Sequence, residues 1–301
     1  MQVRHYAVYD VFTSQALAGN QLAVVFDCEG LDTARMQAIA REFNLSETAF
    51  ILPPETQEHE AKVRIFVPAR ELPFAGHPTV GSAVAIASLR HGAGQRAFIL
   101  EERVGNISCR VEISAVAASA EFDLPRLPEQ IEFELAPDWI AAALGLAPAD
   151  IGFGSHAISV WTAGVPYVCI PVSRIEAARN ARINEGAWLD LVRLPGAIIA
   201  APYVYCPGGD LAGSDFHARM FAPWDGIKED PATGSAAAAL CGALAKFEAL
   251  PEGPKRFVIE QGIEMGRPSS IEVILLIDGG LLSKVSIGGR AVKVAEGRLF
   301  A

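Results

Sequence analysis

The chain has 301 residues, a length that fits two domains of about 150 residues better than one. Its 25 basic and 35 acidic residues give a formal charge of −10, which argues against a nucleic-acid partner bound through its phosphates. Hydrophobic residues make up 51% of the chain, yet no run reaches the roughly 18 apolar residues that a membrane helix needs. The first residues lack a secretory signal, so we expect a cytoplasmic protein with no membrane partner.

Cysteine and histidine spacing bears on the cofactor. The five cysteines are odd in number and scattered, which does not fit a disulfide framework. No histidine lies within four residues of a cysteine or of another histidine, so a zinc site is not indicated. Signatures of dinucleotide binding, phosphate-binding loops, zinc proteases and serine hydrolases are also missing from the sequence. We therefore expect no metal and no organic cofactor, which leaves proton transfer by side chains or simple binding of a small molecule.

Short β-branched and apolar runs dominate the first half. They predict strands over 3–12, 21–26, 48–52, 63–67, 97–102, 107–113 and 119–124, and helical spacing predicts one helix over 32–43, after which Asn44 is a stop signal. Strands of this length separated by turns favour a barrel or sandwich over a βαβ sheet.

Three prolines between 125 and 137 mark this segment as the candidate linker. We therefore predict one domain over 1–125 and a second over 126–301, with the last strand, near 290–301, as a candidate for return to the first domain. In the second half the pattern predicts strands over 165–172 and 198–205, a helix over 173–182, and further strands from 257 onward.

An internal repeat links the two halves. Arg64-Ile65-Phe66-Val67-Pro68 is echoed by Arg219-Met220-Phe221-Ala222-Pro223. The segment from His77 to Ala85 is likewise echoed by the segment from Asp230 to Ala238, 153 positions later, with Pro, Gly-Ser-Ala and Ala in matching places. Two matched segments in the same order indicate two domains of like fold, and we expect them to face each other across a pseudo-twofold axis.

Each copy of the second segment leads into an Ala-rich stretch that carries no charge. We expect Pro at the first helical position, Asp230 or the less usual His77 as the cap, and a helix buried inside a curved sheet. Two such helix ends at a shared cleft predict a small anionic substrate such as a carboxylate. The alternative is that the caps only stabilise their own helices.

Glu47 is the candidate proton-transfer residue, because it stands between a helix stop and an apolar strand. Partial burial at such a place suits a carboxyl group to general acid–base catalysis. Taken alone, a surface glutamate is the simpler interpretation. His77 is a candidate for a second proton-transfer or polar contact.

Four segments resemble the phenazine-biosynthesis PhzF-like family. They are Asp10-Val11-Phe12-Thr13 with Gly19-Asn20, the segment Asn44-Leu45-Ser46-Glu47-Thr48-Ala49-Phe50, Gly76-His77-Pro78-Thr79, and Glu229-Asp230-Pro231-Ala232-Thr233-Gly234-Ser235-Ala236. The resemblance implies an α+β, diaminopimelate-epimerase-like fold, with two pseudo-symmetric barrel-like sheets each wrapped round a central helix. The internal repeat indicates the same architecture independently.

The resemblance also implies roles for individual residues. Glu47 occupies the position of the proton-transferring glutamate, and the positions that line the substrate cleft are Asn20, Ser46, Gly76, His77, Asp230, Gly234 and Ser235. The implied enzyme is a biosynthetic isomerase that moves a proton between two carbons of a small carboxylate substrate without metal or cofactor. Members of the family are often homodimers.

Two departures from the pattern keep other functions open. Gln21 stands where the family usually has proline, so we expect the turn near Asn20 to differ from that of the family. Diaminopimelate epimerase itself uses two cysteines near the two helix starts, and no cysteine lies there in this sequence, so racemisation by two thiols is disfavoured. A one-base epimerase or racemase of an amino acid and a non-catalytic small-molecule binder remain as alternatives.

Overall fold

The computed structural model describes residues 2–301 and divides the chain into two compact units. The first comprises the residues up to Pro125 together with Ser286–Ala301, and the second is Arg126–Val285. Both units combine sheet and helix, so the predicted α+β class is confirmed. Within residues 2–301, no helix is both long enough and apolar enough to span a membrane.

The helices and strands of the described chain are numbered in chain order. They are β1 (Val3–Val11), β2 (Asn20–Val25), α1 (Thr33–Phe43), β3 (Glu47–Leu52), β4 (Ala61–Phe66), β5 (Glu71–Leu72), α2 (Gly76–Arg90), β6 (Gly94–Glu102), β7 (Gly105–Ile113), β8 (Ala118–Asp123), β9 (Glu129–Ile131), α3 (Pro137–Ala143), β10 (Ser159–Thr162), β11 (Pro166–Pro171), α4 (Ile175–Asn180), α5 (Glu185–Leu191), β12 (Ala201–Pro207), β13 (Phe216–Ala222), β14 (Ile227–Asp230), α6 (Gly234–Phe247), β15 (Gly253–Gln261), β16 (Ser269–Asp278) and β17 (Leu281–Phe300).

The sheet of the first unit closes on itself. Among its described strands the pairing order is β17–β1–β2–β3–β4–β6–β7–β8, and β8 pairs back onto β17. Helix α2 packs against β1, β2, β3, β7 and β8, and the residues from Gly76 to Ala87 are all buried. Apart from His77, the buried part of this helix carries small or apolar side chains and no charged residue, which allows it to be enclosed by strands. The first unit is therefore a barrel around a central helix.

The second unit also packs strands around a helix of its own, α6. Its strands pair in the order β9–β10–β11–β12–β13–β15–β16, and α6 packs against β9, β10, β11 and β16. A Cβ atom at Gly242 of α6 would lie 2.2 Å from the Trp161 ring of β10, so glycine permits the close approach of helix and strand. The predicted linker over 125–137 is not simply a linker, because β9 lies within it and pairs with β10.

Local signals predicted the first helix well. The Asp32 side chain accepts a hydrogen bond from the Arg35 amide at 2.7 Å and so caps α1, as N-cap residues do. Asn44 ends the helix in the left-handed conformation, with φ of 50°, and its amide donates to the Ala40 carbonyl. The predicted helix over 32–43 is confirmed to within one residue.

The predicted starts of the two repeated helices were wrong. The N-cap of α2 is Ala75, so His77 is the second residue of the helix and Pro78 the third. The N-cap of α6 is Thr233, while Asp230 ends β14. Proline lacks only a donor that the first turn leaves unpaired, so it is tolerated anywhere in that turn or just before it and does not mark one position.

Candidate active site

Glu47 begins β3 immediately after the turn that follows α1. The left-handed Asn44 redirects the chain, Ser46 lies in the turn, and Glu47 then aligns with Leu22 of the parallel strand β2. The Glu47 side chain is 14% exposed, so it is largely desolvated but still reachable. The structure therefore places this carboxyl group at the end of a buried strand and not on an open surface.

His77 faces Glu47 from the first turn of α2. Its Nε2 atom lies 3.2 Å from Oε2 of Glu47, and the imidazole side chain is 4% exposed. Burial lowers the pKa of His77 to about 3, and a hydrogen bond between the ring and the Gln21 backbone opposes this shift only in part. The imidazole is therefore uncharged at neutral pH.

The tautomer of His77 follows from these contacts. Because the bond with Gln21 raises the pKa, the ring N–H is the donor and the backbone carbonyl is the acceptor. The contact between Nε2 and Glu47 has the distance but not the angle of a hydrogen bond, and Nε2 has no other partner in residues 2–301. Nε2 thus presents a lone pair to the carboxyl group. A protonated Glu47 can donate to this lone pair once the angle between the two groups adjusts.

A tight turn brings β2 to this site. Gly19 has φ of 65°, and a Cβ atom there would lie 2.4 Å from the Val11 carbonyl, so only glycine fits. The next residue, Asn20, is fully buried and begins β2, and Gln21 then supplies the carbonyl that holds His77. The departure from proline at Gln21 leaves this role intact, since proline also carries a carbonyl.

In the second unit, the predicted residue Asp230, just before α6, belongs to a hydrogen-bonded cluster. The Thr233 hydroxyl donates to Asp230 Oδ2 at 2.5 Å, and Gln261 Nε2 donates to the Asp230 carbonyl at 2.7 Å and to Thr233 Oγ1 at 2.9 Å. Gln261 Oε1 accepts from the Thr233 amide and from the Tyr203 hydroxyl, each at 3.2 Å. The sequence predicted Asp230 as the cap of this helix. In the structure, Asp230 instead anchors the segment before the helix.

Gly234 and Ser235 are the first two residues of α6. Gly234 is buried, and the Ser235 hydroxyl lies 2.7 Å from the Tyr167 hydroxyl of β11. Tyr167 is itself buried, so the phenol orients the serine at the helix start.

Sequence reasoning missed the residues that hold these groups in place, namely Thr79, Tyr167, Thr233 and Gln261. A usable signal was present for Thr79 and Thr233, since each lies inside a copy of the repeated segment. Gln261 and Tyr167 are 28 and 68 residues from their partners, so no local pattern connects them.

Comparison with known proteins matches this architecture. A family model described as "Phenazine biosynthesis-like protein" matches residues 9–297. An uncharacterized isomerase of Mesorhizobium japonicum is 54% identical over the full length of both chains. A trans-2,3-dihydro-3-hydroxyanthranilate isomerase of Pseudomonas aeruginosa is 36% identical over 99% of this chain and 100% of that one. The crystal structure of a PhzF family protein of Bacillus anthracis superposes with a TM-score of 0.88 at 22% identity and full coverage of both chains.

The chain thus belongs to the phenazine biosynthesis-like protein family, which confirms the resemblance and the fold that it implied. It is an isomerase of the PhzF type, as its relatives along the whole chain are.

Proposed function

We propose that this isomerase moves a proton between two carbons of a small carboxylate substrate, with Glu47 as the general acid and base and without metal or organic cofactor. The observation that carries the proposal is the contact of 3.2 Å between Glu47 and the buried, uncharged imidazole of His77. A carboxyl group that is 14% exposed, and next to a fixed hydrogen-bond acceptor, suits reversible uptake of a proton.

The reaction balances without any redox partner. The Glu47 carboxylate takes a proton from one substrate carbon, and the electrons of the broken C–H bond move into the neighbouring unsaturated system. The carboxylic acid then gives the proton to a second carbon, where a new C–H bond forms. Between the steps, the protonated Glu47 donates to His77 Nε2, whose lone pair is held in place because Gln21 fixes the other ring nitrogen.

Further predicted residues are proposed as substrate contacts. The amides of Gly76 and His77, in the first turn of α2, have no acceptor within the helix and suit a substrate carboxylate, and Asn20 at the start of β2 and Ser46 just before β3 come from neighbouring elements. In the second unit, Asp230, Gly234 and Ser235 are proposed to bind polar groups of the substrate; their support is the cluster that fixes Asp230 and the Tyr167 contact that orients Ser235.

For the substrate we propose the chemistry in the name of the Pseudomonas aeruginosa relative, an unsaturated cyclic carboxylate with amino and hydroxyl groups. The test measures the isomerisation of trans-2,3-dihydro-3-hydroxyanthranilate in D₂O by NMR, with a panel of other small carboxylates beside it. Glu47→Gln should lower kcat by about 10²–10⁴-fold, because general acid–base catalysis contributes that much.

Glu42→Gln is the matched control, since Glu42 is an exposed carboxylate near the end of α1. It should leave the rate unchanged. Near wild-type turnover by Glu47→Gln would exclude Glu47 as the proton carrier. Deuterium at the original carbon with inverted configuration would indicate a one-base epimerase instead, and binding with neither isomerisation nor deuterium uptake would indicate a non-catalytic binder. The expected homodimer remains a prediction, and sedimentation of the same preparations tests it.

A further inference from the structure

Glu102 is a buried carboxyl group that the proposed mechanism does not use. It is the last residue of β6, 8% exposed, and its Oε1 atom lies 2.7 Å from the Thr79 hydroxyl of α2. Its other oxygen, Oε2, is buried without a hydrogen-bond partner among residues 2–301. A charged carboxylate in such a place would lack the donors that stabilise buried charge.

The Thr79 hydroxyl has only one proton to give. It lies 2.8 Å from the Ala75 carbonyl, which can only accept, and 2.7 Å from Glu102. If the hydroxyl donates to Ala75, the bond with Glu102 requires a proton on Glu102 itself. Both contacts are satisfied together only when the carboxyl group is protonated.

The second unit contains the matching arrangement with an amide in place of the acid. Glu102 ends the nine-residue strand β6, and Gln261 ends the nine-residue strand β15. Gln261 Nε2 donates to Thr233 Oγ1 at 2.9 Å, while that hydroxyl donates onward to Asp230. Glutamine is always an uncharged donor, and it has nearly the shape of a protonated glutamic acid.

The preceding residue of each strand supports this correspondence. Glu101 accepts from two consecutive backbone amides, those of Glu55 and Thr56, and contacts His59 at 2.7 Å. Glu260 accepts from the amides of Asp210 and Leu211 and contacts His217 at 2.7 Å. The ends of β6 and β15 thus make the same two kinds of contact. A glutamate accepts hydrogen bonds from the backbone of a loop, and the next residue contacts a threonine at a helix start.

We propose that Glu102 is a positioning residue of the active site, which donates its carboxyl proton to Thr79 and so fixes the first turn of α2 that carries Gly76 and His77. The proposal rests on the proposed function, because it assigns Glu102 a role through the partner of Glu47. Thr79 closes this turn through both its amide and its hydroxyl, which bond to the Ala75 carbonyl. A shift of His77 by a fraction of an ångström would change its contact with Glu47.

The surroundings of Glu102 keep it uncharged. Burial raises the pKa of Glu102 to about 8, against the lowering that the Thr79 bond causes when the hydroxyl donates to the carboxylate. The reversed bond, donated by Glu102, stabilises the neutral acid instead. From β7, the thiol of Cys109 faces Glu102; burial, and then Glu102 itself, raise the pKa of that thiol, so it is neutral too. The adjacent charges, Glu101 and Arg103, are paired with His59 and Glu71 respectively.

The experiment compares Glu102→Gln and Glu102→Leu in the full-length enzyme. Glutamine keeps the donor, so we expect kcat within about threefold of wild type, whereas leucine should lower kcat by about 10- to 100-fold with a smaller change in KM, the scale of a misplaced catalytic contact. The kcat of wild type should also fall as the pH rises through about 8, and Glu102→Gln should lose this alkaline limb. Equal losses in both variants, or an unchanged alkaline limb, would overturn the proposal.

A second measurement needs no substrate. In protein labelled with ¹³C at glutamate side-chain carboxyls, one resonance of wild type should titrate near pH 8 and be missing from Glu102→Gln. Glu112→Gln, which changes an exposed glutamate of β7, should retain it. Titration of Glu102 near its ordinary value of 4.5 would refute the protonated state even if Glu47→Gln behaves as proposed. A protonated Glu102 with a fully active Glu47→Gln would instead refute only the role of Glu47.

Discussion

The starts of α2 and α6 are built on one plan and carry different chemistry. At α2, an uncharged imidazole meets a carboxyl group, and Glu102 supports the turn. At α6, the carboxyl group is Asp230, and Gln261 supports the turn from the equivalent strand end. The two helix starts share the same kind of support but carry different functional groups. The duplicated fold therefore supplies the helix starts, while the side chain in or just before each first turn sets its chemistry.

The same comparison extends to the arginine of the first repeated segment. Arg64 binds Glu71 with two nitrogens at 2.8 Å, and its side chain is 18% exposed. Arg219 binds Glu229 at 2.8 and 2.9 Å, is only 3% exposed, and donates to three backbone carbonyls around the end of α4. Each guanidinium also lies over the phenylalanine two residues on, at 5.2 and 4.8 Å. In both copies of the Arg-x-Phe repeat, the arginine thus forms an ion pair with a glutamate and stacks on the ring of the phenylalanine.

Among the differences between the two units, we expect these two arginines to give the largest difference in the free energy of unfolding. Arg219→Met leaves Glu229 and three carbonyls without their donor in a buried place, so we expect a loss of about 3–5 kcal/mol in the free energy of unfolding. Arg64→Met breaks a more exposed pair and should cost about 1.5–3 kcal/mol. Urea unfolding of both variants measures the difference. A larger loss for Arg64→Met would show that burial does not decide the ranking.

A smaller effect concerns His217, which is buried between two carboxylates at 2.7 and 3.1 Å, those of Glu260 and Glu264. Burial alone would lower its pKa, but the hydrogen bonds and charges of these glutamates outweigh burial and raise it to about 9 from 6.5. The native state therefore binds the proton more tightly than the unfolded chain does. Its stabilisation is complete below pH 6.5 and is lost as the pH rises through about 9.

At 1.36 kcal/mol per pKa unit, this loss should amount to about 3 kcal/mol. Thermal unfolding between pH 6 and pH 10 measures it in the Glu102→Gln background, which removes the loss that Glu102 adds up to about pH 8, and His217→Gln should flatten the remaining profile. His59→Gln, which alters the corresponding contact with Glu101 in the first unit, is the control. It should leave the loss of stability at alkaline pH in place. An alkaline loss that persists in His217→Gln would assign the effect to another group.

The smallest effect should come from Asp230→Asn, and it distinguishes the two helix starts in function. If Asp230 binds a polar group of the substrate, the amide should raise KM by about tenfold, which corresponds to about 1.4 kcal/mol, with little change in kcat. Glu47→Gln should instead lower kcat. Steady-state kinetics of the two variants checks this division. A reduced kcat at unchanged KM for Asp230→Asn would place this carboxylate in the chemical step.

Sequence reasoning predicted local structure and failed where a residue's role depends on distant partners. It placed α1 between Asp32 and Asn44 correctly, because both ends are capped by side chains and turns within four residues. It placed Asp230 as a cap because aspartate before proline is typical of helix starts. In the structure, strand β14 continues through Asp230, and the helix begins only at Gly234.

The sequence alone determined what depends on neighbours along the chain: the short strands, the two Ala-rich helices, the internal repeat and the family. The tertiary structure alone decided that Glu47 faces His77, that Gln21 sets the tautomer of that imidazole, and that Glu102 lies under Thr79. The physical reason is range. Helix and strand patterns arise from interactions within a few residues, whereas protonation and hydrogen bonding at a buried site depend on groups that only folding brings together.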